Sequence, residues 1–241
     1  MKVVVPMAGR GSRFARAGVE KPKPLISIAD RPMLAWAMES LKGLNSNEVI
    51  FIVLREHEIR HGVSNLVHEL VGESAQVILL EGVTEGQLCT VLAARELINC
   101  EEDLLIASSD TYVVSNVLSD IQFRTSKCHG LISAAEIPGD HWSFARTDET
   151  GAVVEVAEKV RISNHASTGL YYFSSGREFV AVADEIISNG EKTKGEYYVI
   201  SVFEKYIERG WRVEISSATE MWDMGTPQAL ADFESHLAFR S

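Results

Sequence analysis

Residues 1–25 read MKVVVPMAGRGSRFARAGVEKPKPL: an apolar run at 2–6, a loop carrying Gly9, Gly11 and Arg13, and then Lys21-Pro22-Lys23-Pro24. A Val-rich strand that feeds glycines is how a parallel α/β sheet presents backbone N–H groups to a phosphate, because without Cβ atoms the chain approaches the oxygens closely. Arg13 adds a charge-assisted, bidentate donor at the same place. Six of the first 23 residues are Lys or Arg and Glu20 alone is acidic, so this stretch carries +5 while the 241-residue chain carries −11. A local basic loop in an acidic protein suits a small anion. It does not suit nucleic acid, which needs a broad basic patch.

Outward from that loop, short Val/Ile/Leu runs at 48–54, 75–80 and 103–108 read as strands buried on both faces of a parallel sheet. Helical segments alternate with them. The first is expected from Asp30, as N-cap ahead of Pro32, through Met33, Leu34 and Leu41 to Gly43. A second puts Ile59, Val63, Leu66, Val67 and Leu70 on one face, and a third spans 86–98. This order predicts right-handed crossovers and a doubly wound, Rossmann-like, mostly parallel sheet. After residue 128 the strands come closer together, near 129–137, 142–147, 152–157 and 166–174, with turns at Pro138-Gly139 and 148–151. An antiparallel or mixed extension is expected there, followed by helices at 177–189 and 197–209, a strand at 211–216 and a helix at 227–238. The expectation is one domain over 1–241, its halves (1–127 and 128–241) sharing a sheet with a cleft where they meet.

Hydrophobic residues at 46% and charged residues at 24% are ordinary for a soluble protein, and no apolar run is long enough for a membrane span. The Val3-Val4-Val5 run lacks a cleavage pattern, and Cys89, Cys100 and Cys128 are odd in number without CxxC spacing. A cytoplasmic, reducing location is therefore expected, with no membrane and no disulfide framework.

Spacing tests the competing motifs. A dinucleotide fingerprint would need a glycine at position 14, where Phe14 stands, and no GxxxxGK[ST] occurs. His57-Glu58-Ile59-Arg60-His61 matches HExxH. On one continuous helix, however, His57, His61 and His68 fall within 40° of each other and opposite the apolar face, so a solvated face is expected rather than a zinc site.

Met7-Ala8-Gly9-Arg10-Gly11-Ser12-Arg13-Phe14, then Lys21-Pro22-Lys23-Pro24-Leu25 and Arg31-Pro32-Met33, resembles the sugar-phosphate nucleotidylyltransferase family, in a compact form. The similarity runs over about residues 2–235. Ser12 stands where the family has threonine, which keeps the hydroxyl. The resemblance implies that Arg13 and Lys23 contact a triphosphate, while Ala8, Gly9, Gly11 and Ser12 cradle its phosphates. Gly86 and Gln87 would lie against the base. Glu158, Lys159, Thr168 and Gly169 would bind the second substrate, although Val160 replaces a common proline and leaves that substrate's identity open. On this resemblance the 1–127 half is nucleotide-binding and the 128–241 half acceptor-binding.

Asp110 follows Leu104-Leu105-Ile106-Ala107-Ser108-Ser109, so it sits at the carboxyl end of a buried parallel strand, where open α/β sheets bind ligands. Asp223 lies in Trp222-Asp223-Met224-Gly225-Thr226-Pro227, which resembles the family's metal segment. Thr226 is the better cap for the helix that follows, and Ser115 or Asn116 for the helix after Asp110, so both aspartates are free for other work, and the resemblance implies that they bind Mg²⁺. The implied enzyme is a Mg²⁺-dependent nucleotidyltransferase. It would join a nucleoside triphosphate to a sugar 1-phosphate or similar phosphorylated acceptor, release pyrophosphate, and serve the synthesis of cell-surface polysaccharide precursors. A cytidylyltransferase acting on a phosphocholine-like group is the alternative within the class. A non-catalytic nucleotide-sugar sensor is the alternative outside it, and two retained metal aspartates argue against that reading. A homo-oligomer is an expectation from the family alone.

Overall fold

The computed structural model describes residues 1–44 and 48–240. Its strands are β1 (Lys2–Pro6), β2 (Ser27–Ile28), β3 (Arg31–Pro32), β4 (Val49–Leu54), β5 (Gln76–Leu80), β6 (Leu104–Ala107), β7 (Thr111–Ser115), β8 (Cys128–Glu136), β9 (Ser143–Thr147), β10 (Val153–Glu158), β11 (His165–Phe173) and β12 (Arg212–Asp223). Strands β2 and β3 form a separate hairpin, and the others make one sheet in the order β5-β4-β1-β6-β11-β8-β12-β7, with β9 and β10 attached through β11. Neighbours from β5 to β6 are parallel. Strand β11 then enters antiparallel between β6 and β8, while β12 runs parallel to β8 and antiparallel to β7. The doubly wound half and its mixed extension thus share one continuous sheet.

Alternation along the central strands explains their unbroken apolar runs. Val4, Ile50, Ile52 and Ile106 face a core covered by helices Gly176–Ser188 and Ile200–Glu208, whereas Val3, Val5, Phe51 and Leu105 face one covered by Val63–Val71 and Val117–Phe123. Both faces are dry, so no polar residue is tolerated on either. A smaller cluster of Phe14, Ile28, Met33, Met224 and Phe233 sits apart. It fastens the loop after β1 to the hairpin and to the end of β12.

Four expectations change. Asp30 does not cap a helix: it takes φ +62 beside Ala29 at φ +44 in the tight β2–β3 turn, and the helix runs Met33–Glu39 with Pro32 before it. Aspartate suits a left-handed turn as well as a cap, and the hairpin uses it there. The helix expected through Ile59 and Leu70 breaks at Gly62, at φ +60, into Arg55–His61 and Val63–Val71. The break turns Ile59 away from Val63 and Val67, and Ile59 is 77% exposed. The helix expected over 86–98 is three short turns, Gln87–Val91, Leu92–Ala94 and Arg95–Ile98. Finally, the strand expected at 211–216 continues to Asp223, because its second half pairs with β7, a strand not among those expected. Ser217, Thr219 and Glu220 dilute the apolar signal there. Among the described residues no helix is long and apolar enough to cross a membrane.

Phe173, Phe179 and Phe203 are fully buried in one aromatic stack, with Phe173 and Phe203 centroids 4.6 Å apart. Phe203→Ala is expected to lower the unfolding free energy by about 3–5 kcal/mol, read as a reduced urea midpoint with an unchanged slope.

Candidate active site

The loop after β1 is built to leave two backbone segments free. Met7 N donates to Ile52 O at 2.9 Å and the Met7 and Ala8 side chains are buried, which anchors the loop as it leaves the sheet. Gly11 then turns at φ +63, a conformation that favours glycine, and a side chain there would meet the Lys23 Cγ at 3.2 Å. Buried Phe14 orients the short helix Ser12–Arg16, leaving Ser12, Arg13 and Arg16 exposed. Pro22 and Pro24 flank Lys23 and shape the turn Lys23–Leu25, whose lysine stem lies along Gly11.

Lys23 Nζ donates to Asp110 Oδ2 at 2.8 Å, a contact between residues 87 positions apart. Ser108 Oγ donates to Asp110 Oδ1 at 2.6 Å, and Met224 N donates to the Asp110 carbonyl at 2.8 Å. Asp223 arrives beside them through the β12–β7 register, which pairs Asp223 with Thr111. Its Oδ1 accepts from Gly225 N at 2.8 Å. All three charged groups crowd Gly225: a Cβ there would lie 2.9 Å from Asp223 Oδ1, 3.2 Å from Asp110 Oδ2 and 3.5 Å from Lys23 Nζ. Burial alone would raise the Asp110 carboxyl, but the Lys23 ammonium and the Ser108 hydroxyl outweigh it and hold the group below its ordinary value. Asp223 has no such partner. Burial first, and then the Asp110 charge, push its carboxyl above the ordinary aspartate value.

A cleft of about 490 Å³ opens from this cluster. Ala8, Gly9, Gly11, Lys23 and Asp110 line one wall and Thr84, Gly86 and Gln87 the other, with Glu196 and Tyr198 at the side. Gly86, at φ +141, is pressed against the Tyr197 backbone so closely that a Cβ would come within 2.3 Å of Tyr197 O. Thr84 Oγ1 donates to Gly86 O at 2.8 Å and stiffens the turn.

The residues expected to bind the second substrate gather beyond this wall. Glu158 ends β10, is 8% exposed, and accepts from Ser143 Oγ; burial raises its carboxyl. Lys159 takes φ +54, and its Nζ donates to Tyr198 Oη at 2.6 Å. Gly169, at φ +84 in a bulge of β11, lets that strand close on the end of β6: a Cβ would sit 2.8 Å from Ser108 Cβ. Thr168 Oγ1 beside it is buried and has no hydrogen-bond partner among the described residues.

The structure therefore brings Ala8, Gly9, Gly11, Lys23, Gly86, Gln87 and Asp110 to one cleft with Asp223 adjoining. Arg13 is not among the cleft's lining residues, and Ser12 borders a shallower depression with Arg10 and Arg16. Glu158 and Lys159 meet the cleft through Tyr198. Thr168 and Gly169 stand behind Ser108. Thr226 Oγ1 accepts from Ala229 N at 3.1 Å and so caps the last helix, while Asn116 stands at the N-cap of Val117–Phe123 without a side-chain bond and Ser115 Oγ accepts from Val117 N at 3.4 Å; neither aspartate is used as a cap. Sequence reasoning missed Ser108 and Tyr198 as site residues. Ser108 carried a signal in its place two residues before Asp110, whereas Tyr198 carried none.

Among the described residues no group of three or more His, Cys, Asp or Glu is placed to hold a metal ion. A cation at Asp110 and Asp223 would thus have two protein carboxylates and fill its other positions with phosphate oxygens and water. Mg²⁺ is commonly bound in this way. The donor set fits, because one ammonium faces two carboxylates and the charges near Asp223 do not outweigh its burial and the Asp110 charge.

A nucleotidyl transferase family model matches residues 2–239. A low-salt glycan biosynthesis nucleotidyltransferase of Haloferax volcanii is 24% identical over 239 residues, covering 96% of this chain and 64% of that protein. The bifunctional protein GlmU of Thermotoga maritima is 26% identical over 247 residues, covering 100% of this chain and 52% of its own length. The chain thus spans about half to two thirds of these curated relatives. Among solved structures, the nucleoside-diphosphate-sugar pyrophosphorylase from Vibrio cholerae superposes with a TM-score of 0.82 at 24% identity, covering 97% of this chain and 99% of that one. The inositol-1-phosphate CTP transferase from T. maritima gives 0.78 at 15%, covering 98% and 94%. At these identities the structural likeness is one of fold.

The two aspartates have opposite effects on stability. A carboxyl held below its ordinary value stabilises the fold above that value and loses the contribution as pH falls; one held above it stabilises the fold only while protonated and loses the contribution as pH rises. At pH 7 without divalent cations, Asp110→Asn should therefore lower the melting temperature and Asp223→Asn raise it. Each kcal/mol corresponds to roughly 2–4 °C at this chain length. Shifts of the same sign in differential scanning calorimetry would contradict the charge balance described here.

Proposed function

The chain belongs to the nucleotidyl transferase family, and from that premise we propose that it joins a nucleoside triphosphate to a sugar 1-phosphate or similar phosphorylated small molecule, releases pyrophosphate and uses Mg²⁺. The observation that carries this reading is the meeting of Lys23, Asp110 and Asp223 around Gly225, beside a cleft that Lys23 and Asp110 line together with the Gly86–Gln87 turn. A triphosphate laid from that turn toward the cluster meets backbone N–H groups at Gly9 and Gly11 along the way. The relatives' names support the acceptor class: one is a glycan biosynthesis enzyme and one solved neighbour is a sugar pyrophosphorylase. The proposed role is supply of an activated sugar for a glycan, in the cytoplasm.

In the proposed reaction an oxygen of the acceptor phosphate forms a bond to the α-phosphorus, the bond from that phosphorus to the bridging oxygen of the β-phosphate breaks, and pyrophosphate leaves with the electron pair. The nucleophile is already anionic near pH 7, so no residue has to remove a proton. Catalysis by this chain is then charge neutralisation and alignment. Lys23 offsets charge on the triphosphate, and Arg13, on the exposed face of its helix, approaches the outer phosphates from outside the cleft. Lys159 orients the acceptor phosphate. Mg²⁺ held by Asp110 and Asp223 would add electrostatic stabilisation at the phosphate oxygens.

The deciding experiment measures pyrophosphate release from ATP, CTP, GTP, UTP and dTTP against panels of sugar 1-phosphates and of alcohol phosphates. Turnover with a sugar 1-phosphate is expected. Turnover confined to CTP and an alcohol phosphate would move the chain to the cytidylyltransferase alternative, which the T. maritima fold neighbour keeps in view. No release from any pair would overturn the proposal. With the active pair, Asp110→Asn, Asp223→Asn and Arg13→Ala should each reduce kcat/KM by about 10²-fold or more, and losses within threefold would remove those roles.

A further inference from the structure

The segment around Tyr198 is tied to both walls of the site. Tyr197 N donates to Glu85 O at 2.9 Å and Leu88 N donates to Tyr197 O at 3.0 Å, so the segment is laced to the turn at Gly86. The contact leaves no room for a Cβ on Gly86, and Tyr197 itself is buried. Alternation along the chain then places Tyr198 on the cleft, where it lines the wall with Gln87 and Glu196. Its hydroxyl accepts from Lys159 Nζ at 2.6 Å, and the ammonium lies 4.7 Å from the ring centroid.

Lys159 is held at its backbone from two other sides. Its N–H donates to Trp142 O at 2.8 Å, its carbonyl accepts from Lys194 Nζ at 2.9 Å, and it occupies φ +54, where a non-glycine residue is strained. A fixed backbone does not fix the end of a flexible four-carbon stem, which loses rotamer entropy only when its ammonium is held. Among the described residues the groups placed to hold it are the Tyr198 hydroxyl, in hydrogen-bond contact, and Glu158 Oε1, farther off at 3.6 Å, while Ser143 binds the other Glu158 oxygen. Burial would lower the Lys159 ammonium, but the Tyr198 hydrogen bond, with the Glu158 and Glu196 charges, outweighs it and holds the group above its ordinary value, so the lysine stays cationic.

Building on the nucleotidyl-transfer reading, we infer that Tyr198 is the positioning residue for the acceptor: its hydroxyl fixes the Lys159 ammonium where a phosphate monoester meets it. Because Tyr198 is carried on the segment laced to the Gly86 turn, that position is set from the nucleotide wall of the cleft. Tyr198 acts through Lys159, and its contribution is preorganisation of a charge.

Tyr198→Phe keeps the ring and removes the hydroxyl. With acceptor varied at saturating nucleoside triphosphate, the variant should raise the acceptor KM by about tenfold or more, the scale of a lost charge-assisted hydrogen bond. Nucleotide affinity, measured by calorimetry without acceptor, should stay within about twofold. In a Lys159→Met background the same substitution should have no further effect on acceptor KM. An unchanged KM, or an equal loss in the Lys159→Met background, would overturn the inference, since Tyr198 would then act as packing alone. A second readout is independent of turnover: the rate of Lys159 acetylation by acetic anhydride, followed by peptide mass spectrometry, should rise in Tyr198→Phe. An unchanged rate would show that the hydroxyl does not hold the lysine. If the wild-type chain releases no pyrophosphate, the reaction proposed above falls, and the acetylation rate still decides whether Tyr198 holds Lys159.

Discussion

One ammonium shared between two carboxylates is the constraint around which this molecule is arranged. Lys23 hydrogen-bonds Asp110, and its charge only partly offsets Asp223, where burial and the Asp110 charge prevail. Such a cluster is costly unless something else supplies positive charge, because like charges in a partly closed site cannot both ionise freely. Three distant parts of the chain have to converge to build it: the loop after β1, the end of β6 and the end of β12. Their convergence fixes the orientation of the cleft. In the proposed reaction the triphosphate lies toward this cluster and the base toward the Gly86 turn.

The rest of the fold holds that convergence. The small core of Phe14, Met33, Met224 and Phe233 has little to do with the two large cores, yet it fastens the Lys23 loop to the Asp223 segment. At the sheet, Gly169 lets β11 close on β6 beside Ser108, whose hydroxyl orients the Asp110 carboxylate. Insertion of β11 antiparallel to β6 is thus what brings the second half of the chain against the end of the first. A wholly parallel sheet would have needed another crossover helix at this point, where the cleft opens.

How much of this was legible in the sequence depended on the kind of signal. The four parallel strands announced themselves through unbroken Val/Ile/Leu runs, because two dry faces demand apolar residues at every position. The β7–β12 edge did not, since its residues alternate between a covered and a wet face and Ser217, Thr219 and Glu220 read as loop. Gly62 looked like an ordinary helix residue in a periodic stretch, yet its left-handed backbone split the helix and exposed Ile59. Asp30 carried two compatible meanings, cap and turn, which only the tertiary course of the chain separates. In the site, Lys23 and Asp110 stood out by their neighbours in sequence. Tyr198 did not: its meaning comes from a lysine 39 positions away, and no local pattern encodes that contact.

The backbone outliers favour the same division of labour. Among the described residues four non-glycine positions have positive φ: Ala29 and Asp30, which make one tight turn, and Lys159 and Lys194. For the first pair the hairpin itself accounts for the conformation. Lys194 likewise shares a tight turn with Gly195 between Thr193 and Glu196, which exchange backbone hydrogen bonds at 3.0 Å; Lys159 lies in no such turn, and its carbonyl accepts from Lys194 Nζ. Glycine at either position would relieve of order 1–3 kcal/mol of strain and lose the ammonium. At Lys159, which no turn accounts for, the chain keeps the cation despite that cost. In the reaction proposed above, Lys159 stands on the acceptor side and Lys23 on the triphosphate side, with Asp110 beside Lys23.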